Sequence, residues 1–164
     1  TKEIAEQMRE KEAAELAAVA FDGKKRIAGA RFEILQQAMQ RSIETLTTIT
    51  RDQKSAYKTS LEKLVLEAAA KLKGTEFTVL ANSRDKKIIA EKVKELERKI
   101  SKIKDQSVRL EMADETMDTI GGVVVQTKDR RQIFTNTMEA RLAKTRKENL
   151  DMIFANLFEG AEEE

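Results

Sequence analysis

The sequence predicts an α+β protein. A long N-terminal helix, able to form a right-handed coiled coil, precedes a small C-terminal domain with a mixed or antiparallel sheet of about four strands packed with helices. Three observations carry this. The 164 residues include no proline and six glycines, with 37% charged and only 4% aromatic side chains, a profile of long helices rather than of a loop-rich globule. Two stretches, Thr75 to Ala81 and Ser107 to Met112, alternate apolar with polar residues at the period of a half-buried strand. A glycine pair, three valines, a charged turn and a return segment have the pattern of a β-hairpin.

From Thr1 to about Ile49 the only glycines are Gly23 and Gly29, and the stretch is dense in Ala, Glu, Lys, Arg, Gln and Met, all strong helix formers. One continuous helix is the natural reading. Ala5, Leu16, Ile27, Ala38 and Ile49 recur every eleven residues, and Met8, Val19 and Ala30 form a second row with the same spacing. Eleven residues over three turns is about 3.67 per turn, so a seam that keeps this period supercoils in the right-handed sense. A seven-residue register from Leu16 reaches Gly23, Ala30 and Gln37 and loses the apolar row. The helix therefore predicts a partner met along Ala5, Met8, Leu16, Val19, Ile27, Ala30 and Ala38. That contact is long and shallow, because each alanine buries little area at about 25 cal/mol per Å².

Arg51 to Lys73 reads as a second helix, with Ala56, Leu61, Leu64, Val65, Ala68 and Leu72 on one face and Gly74 placed as its C-cap. Thr75 to Ala81 follows as a strand with Phe77, Val79 and Ala81 on the buried side. Asn82 and Ser83 offer capping oxygens before a third helix running to about Ile103, whose Ile88, Ile89, Val93, Leu96, Ile100 and Ile103 share a face. Ser107 to Met112 is the next strand, burying Val108, Leu110 and Met112, and Asp114 to Thr119 is a polar connector.

Gly121 and Gly122 then open the hairpin. Val123 to Val125 form its first strand, Lys128 to Arg131 its turn, and Gln132 to Thr135 its return. Asn136 has N-cap chemistry, and Glu139 suits the positive end of a helix, so the last helix is expected to start at Asn136. It runs to Phe158 with Leu142, Leu150, Ile153, Phe154 and Leu157 as its apolar face, and Gly160 stops it.

Gly121 to Val123, the run Asn136, Thr137, Glu139, Arg141, Leu142, and the final Leu157, Phe158 and Gly160 together resemble the E subunit of the vacuolar and archaeal-type (V/A-type) rotary ATPases. The family pattern is GGV, a turn, NTxEARL and LFxG. This chain departs from it in placing Arg130 after Asp129 where glycine is usual, Thr135 where an Asp is usual, and no proline in the closing helix, which is expected to run straighter.

Composition narrows the function. There is no Cys and no His, so thiolate nucleophiles, Ser-His systems and the usual zinc ligands are unavailable. No catalytic, cofactor-binding or metal-binding residues are expected. Gly121 and Gly122 lack the surroundings of a phosphate loop and precede a strand, so a bend or close approach explains them. Tyr57, the only tyrosine, reads as a packing residue. Charges nearly cancel, with 31 basic and 29 acidic residues, which argues against a nucleic-acid partner. Arg84 to Arg109 carries ten basic against five acidic residues, but without aromatics to stack bases it reads as a solvated face. No apolar run approaches the roughly 20 residues that span a bilayer, and no signal peptide is visible, so a protein soluble by itself is expected. Thr1 in place of Met predicts that the sequence begins inside a longer chain or after processing.

The resemblance implies a non-catalytic stator subunit of a proton- or sodium-translocating complex. It is expected on the cytoplasmic side of the membrane, peripheral and not inserted. Residues 1–50 would be the stalk helix, paired as a heterodimer with a small helical subunit of the G or H type. Residues 51–160 would bind the nucleotide-binding head, with Gly121, Gly122, Asn136, Thr137, Glu139 and Arg141 near that surface, and 161–164 would be a disordered acidic tail. The alternative is a free-standing coiled-coil adaptor or nucleic-acid-associated protein, which has no reason to carry the hairpin and its sequel.

Overall fold

A computed structural model describes residues 1–52 and 54–159, with side chains described through residue 156. The elements are α1 (Lys2–Asp52), α2 (Lys54–Lys71), β1 (Glu76–Ala81), α3 (Ser83–Ala90), α4 (Val93–Lys104), β2 (Arg109–Met112), β3 (Gly122–Thr127), β4 (Ile133–Thr137) and α5 (Met138–Glu159). The expected α+β architecture is present. The chain divides into two compact units, one of Thr1–Gln40 with the described residues from 145 onward, the other Arg41–Lys144.

In the second unit the sheet has the order β2-β1-β3-β4, with β1 parallel to β2 and antiparallel to β3, and β3 antiparallel to β4. It is mixed because β1 reaches β2 through α3 and α4, and a strand-helix-strand crossover delivers a parallel neighbour. Phe77, Val79 and Ala81 of β1 and Val123 and Val125 of β3 are buried, while the residues between them are half-exposed. Helices therefore cover one face of the sheet. Leu61, Leu64, Val65, Ala68 and Ala69 of α2 and Leu96 and Ile100 of α4 complete that core, as their spacing of three and four predicts.

Several expectations are corrected. The third helix is two, α3 and α4, broken where the Lys92 amide bonds to the Ile89 carbonyl at 2.9 Å and the Lys92 ammonium pairs with Glu62 of α2. Ile103 lies exposed on α4 rather than on its buried face. Met112 is half-buried, while Val108 and Leu110 are buried. α2 ends at Lys71, so Gly74, at φ +103°, belongs to the turn into β1 and is not the adjacent C-cap. Lys104 fills the capping role, its ammonium donating to the carbonyls of Ala69 at 3.2 Å and Leu72 at 2.5 Å.

α5 starts at Met138, not Asn136. Asn136 remains in β4, paired with Val123, and the cap is Thr137, whose Oγ1 accepts the Ala140 amide at 3.2 Å. The hairpin turn is closed by the Thr127 amide on the Gln132 carbonyl and the Arg130 amide on the Thr127 carbonyl. Asp129 accepts the Thr127 hydroxyl and the Arg131 amide, and Arg130 takes φ 57° where glycine is usual.

In the first unit, Lys24, Ile27, Ala28, Arg31, Ile153 and Asn156 line a shallow cavity of about 160 Å³, which brings α5 beside this part of α1 and puts Ile27 of the expected seam at the cavity edge. Leu150 and Ile153 are half-buried there, whereas Phe154, expected on the same apolar face, is exposed. The expected stop at Gly160, the side chains of Leu157 and Phe158, and the acidic tail lie outside the described residues.

Candidate functional site

Among the described residues, unit 41–144 holds a buried polar cluster around Asp85, and its geometry is structural. Asn82 caps α3 by accepting the Asp85 amide at 2.8 Å, which places the Asp85 carboxylate beneath the start of β3. Asp85 is fully buried. Its Oδ2 accepts the Tyr57 hydroxyl at 2.5 Å and the Gly122 amide at 3.0 Å, and its Oδ1 accepts Arg84 Nε at 2.9 Å. Arg84 also donates to the Ile120 carbonyl at 2.9 Å and lies over the Tyr57 ring, 5.1 Å from its centre. Burial, then the bond to Asp85, raises the Tyr57 hydroxyl pKa well above its ordinary value, so it stays a proton donor. Every group is committed to its neighbour, and the cluster welds α2, α3 and β3 together.

The glycine pair is the reason the weld closes. A side chain at Gly121 would overlap the Tyr57 hydroxyl. One at Gly122, where φ is +94°, would come within 2.5 Å of the Asn136 carbonyl oxygen. Asn136 is itself buried, donating to the Leu64 carbonyl at 2.9 Å, and accepts Arg141 at 3.1 Å. Arg141 also meets Glu67 of α2 at 3.2 Å. Glu139 accepts the Ile120 amide at 2.6 Å through Oε1, while its Oε2 is buried with no hydrogen-bond partner.

Of the residues expected near a head-binding surface, Gly121, Gly122, Asn136 and Thr137 are buried, Glu139 is half-buried and Arg141 is exposed. The structure brings them together around β3, β4 and the first turn of α5. Tyr57 packs as expected, but as a hydrogen-bonding hub. Arg84 and Asp85 were not singled out by the sequence, although Asn82 followed three residues later by Asp85 is the spacing of a helix N-terminus with an acid in its first turn.

On α1 the eleven-residue rows lie on the surface. Leu16 and Val19 are each 71% exposed, Met8 64% and Ile27 57%, and Ala5, Ala30 and Ala38 are exposed too. Ile49, at the far end of the first row, is half-buried. Exposure is not confined to these rows, since Ile4, Phe21 and Ile34 elsewhere on α1 are exposed as well. Among the described residues no group of three or more acidic, His or Cys side chains could hold a metal ion, and no helix is long and apolar enough to cross a membrane.

The family described as ATP synthase (E/31 kDa) subunit matches residues 1–158. The chain is 32% identical over 112 residues to the A-type ATP synthase E subunit of Pyrococcus horikoshii, covering 68% of this chain and 52% of that protein. It is 26% identical over 128 residues to the corresponding E subunit of Methanopyrus kandleri, covering 78% and 60%. To that of Thermofilum pendens it is 27% identical over 144 residues, covering 88% and 66%. The chain thus spans half to two thirds of the length of these curated relatives.

Proposed function

We propose a function on the premise that this chain belongs to the ATP synthase (E/31 kDa) subunit family. In this reading it is a non-catalytic peripheral-stalk subunit of a proton- or sodium-translocating complex. It links the nucleotide-binding head to the membrane sector and resists the torque of the rotor, from the cytoplasmic side and without entering the bilayer. Residues 1–50 act as the stalk helix, pairing with a small helical subunit of the G or H type, and 51–160 act as the head-binding domain.

The observation that carries this reading is the exposed double row on α1. Thirty-nine residues of α1 in the first unit rise about 58 Å at 1.5 Å each. A helix that long, with its aliphatic row in water, suits a two-helix strut. The weld of Tyr57, Asp85 and Gly122 supports the head-binding role in mechanical terms, since a domain that transmits torque must not shear. The buried members of the 121–141 group would shape the contact from below, with Arg141 and Glu139 nearest the partner.

Affinity purification of the tagged chain from its native membranes tests the proposal. The expected outcome is co-purification of the head's nucleotide-binding subunits with one small helical subunit. Recovery of the chain without head subunits, under conditions that keep the ATP synthase assembled, refutes it.

A further inference from the structure

Within unit 41–144 a cavity of about 450 Å³ is lined by Arg51, Lys54, Lys58 and Lys87 together with Tyr57 and Ile88. None of the four cations makes an ion pair among the described residues. Arg84, which also borders the cavity, is neutralised by Asp85, whose carboxylate is wholly buried and directed inward to Tyr57, Arg84 and Gly122. Four unpaired like charges around one concavity raise its potential and favour an anion.

The walls say which anion. Beyond the ammonium and guanidinium heads, the lining includes half-buried Ile88, the edge of the nearly buried Tyr57 beneath Arg84, and exposed Ser83, while the Thr50 hydroxyl already donates to the Thr47 carbonyl. A free phosphate needs several converging donors and gains nothing from apolar walls. An apolar centre inside a charged rim is instead the layout of a protein interface. We propose that this cavity docks an acidic segment of a partner protein. One bulky apolar side chain enters against Tyr57 and Ile88, and flanking carboxylates pair with Lys54, Lys58, Lys87 and Arg51.

The full chain, isotopically labelled and titrated with the capped peptide Glu-Glu-Phe-Glu-Glu, tests this by amide chemical shifts. Shifts are expected at residues 50–58 and 83–88, fading as salt is raised. Lys54→Glu, Lys58→Glu and Lys87→Glu together should weaken binding roughly tenfold or more, as expected for losing several charge pairs. These side chains are at the surface or half-exposed, so replacing them opens no core. An acid at Lys54, in the first turn of α2, suits the helix dipole, whereas one at Lys87, in the last turn of α3, opposes it. A cooperative thermal transition retained by the triple variant, with binding also weakened by Lys54→Gln, Lys58→Gln and Lys87→Gln together, separates binding from folding. Absence of shifts at these residues, or equal affinity for the triple variant or for the Gln-Gln-Phe-Gln-Gln peptide, overturns the proposal. So does equally tight binding there of inorganic phosphate or a single-stranded oligonucleotide. Because the chain is tested alone, this outcome is separate from that of the stalk reading.

Discussion

Arg130 sits at φ 57° in the hairpin turn, a conformation that a side chain opposes. A non-glycine residue there costs about 1–2 kcal/mol, whereas glycine loses roughly 0.5–1 kcal/mol more freedom on folding. Arg130→Gly is therefore expected to stabilise the chain by about 0.5 kcal/mol, read as a higher urea midpoint at unchanged slope. A lower midpoint would show that the arginine is held by more than the turn. Gly122 is the reverse case, since an added methyl meets both a positive φ and the Asn136 carbonyl. Gly122→Ala should cost about 2–4 kcal/mol, and a variant as stable as the parent would contradict the close approach. The sequence showed that the glycine pair serves a bend or close approach. It could not show that Tyr57 and Asn136 are what is approached, because Tyr57 and Gly121 meet only after the sheet has formed. Asn136 and Thr137 both carry capping oxygens, and their order was decided by tertiary contact. Once Asn136 turns to the Leu64 carbonyl of α2, Thr137 is left to cap α5.

Among the elements, α2 and α4 are clasped through Glu62, which pairs with both Lys92 and Lys99. The hydrogen bond from Lys92 holds the Glu62 carboxyl below its ordinary value of 4.5, and the Leu110 amide does the same for Glu97. A carboxyl whose folded pKa is lowered adds stability that is present above the unfolded value and is lost as pH falls through the folded one. The thermal midpoint of the parent should thus drop more steeply below pH 4.5 than that of Glu62→Gln, with parallel curves counting against the clasp. The break between α3 and α4 was not legible, because Ile89, Val93, Leu96 and Ile100 keep helical spacing straight across it. The clasp itself pairs residues thirty positions apart in sequence. On α1 the eleven-residue rows were legible, and they yield a separate test of pairing. Leu16→Lys with Ile27→Lys should abolish association with the small helical subunit, while Glu10→Lys with Gln37→Lys, off the seam, should leave it nearly intact. Equal loss in both pairs, measured by co-elution, would refute the seam.

At the scale of the whole molecule, the small domain depends on a helix that precedes its first strand. Leu61, Leu64, Val65, Ala68 and Ala69 of α2 form one wall of the core that Phe77, Val79 and Val125 face. A fragment from residue 74 onward should lack a cooperative thermal transition, whereas 41–144 should keep one, as circular dichroism would register. Matching transitions would show that the sheet is self-sufficient. Fold class and strand number were legible because alternation and helix-forming composition are local signals. The parallel placement of β2 was not, since it follows from the crossover. That crossover also sets the kinetics. β1 is central, yet its partners emerge from the ribosome long after it, with Glu76 waiting for Arg109 and Phe77 for Thr127. The β3–β4 hairpin can close within its own span, but β1 must remain unpaired through the synthesis of α3 and α4. Nascent chains halted before residue 109 would therefore display the apolar face of α2 and a bare strand, and chaperones that hold such surfaces should bind them until the hairpin arrives.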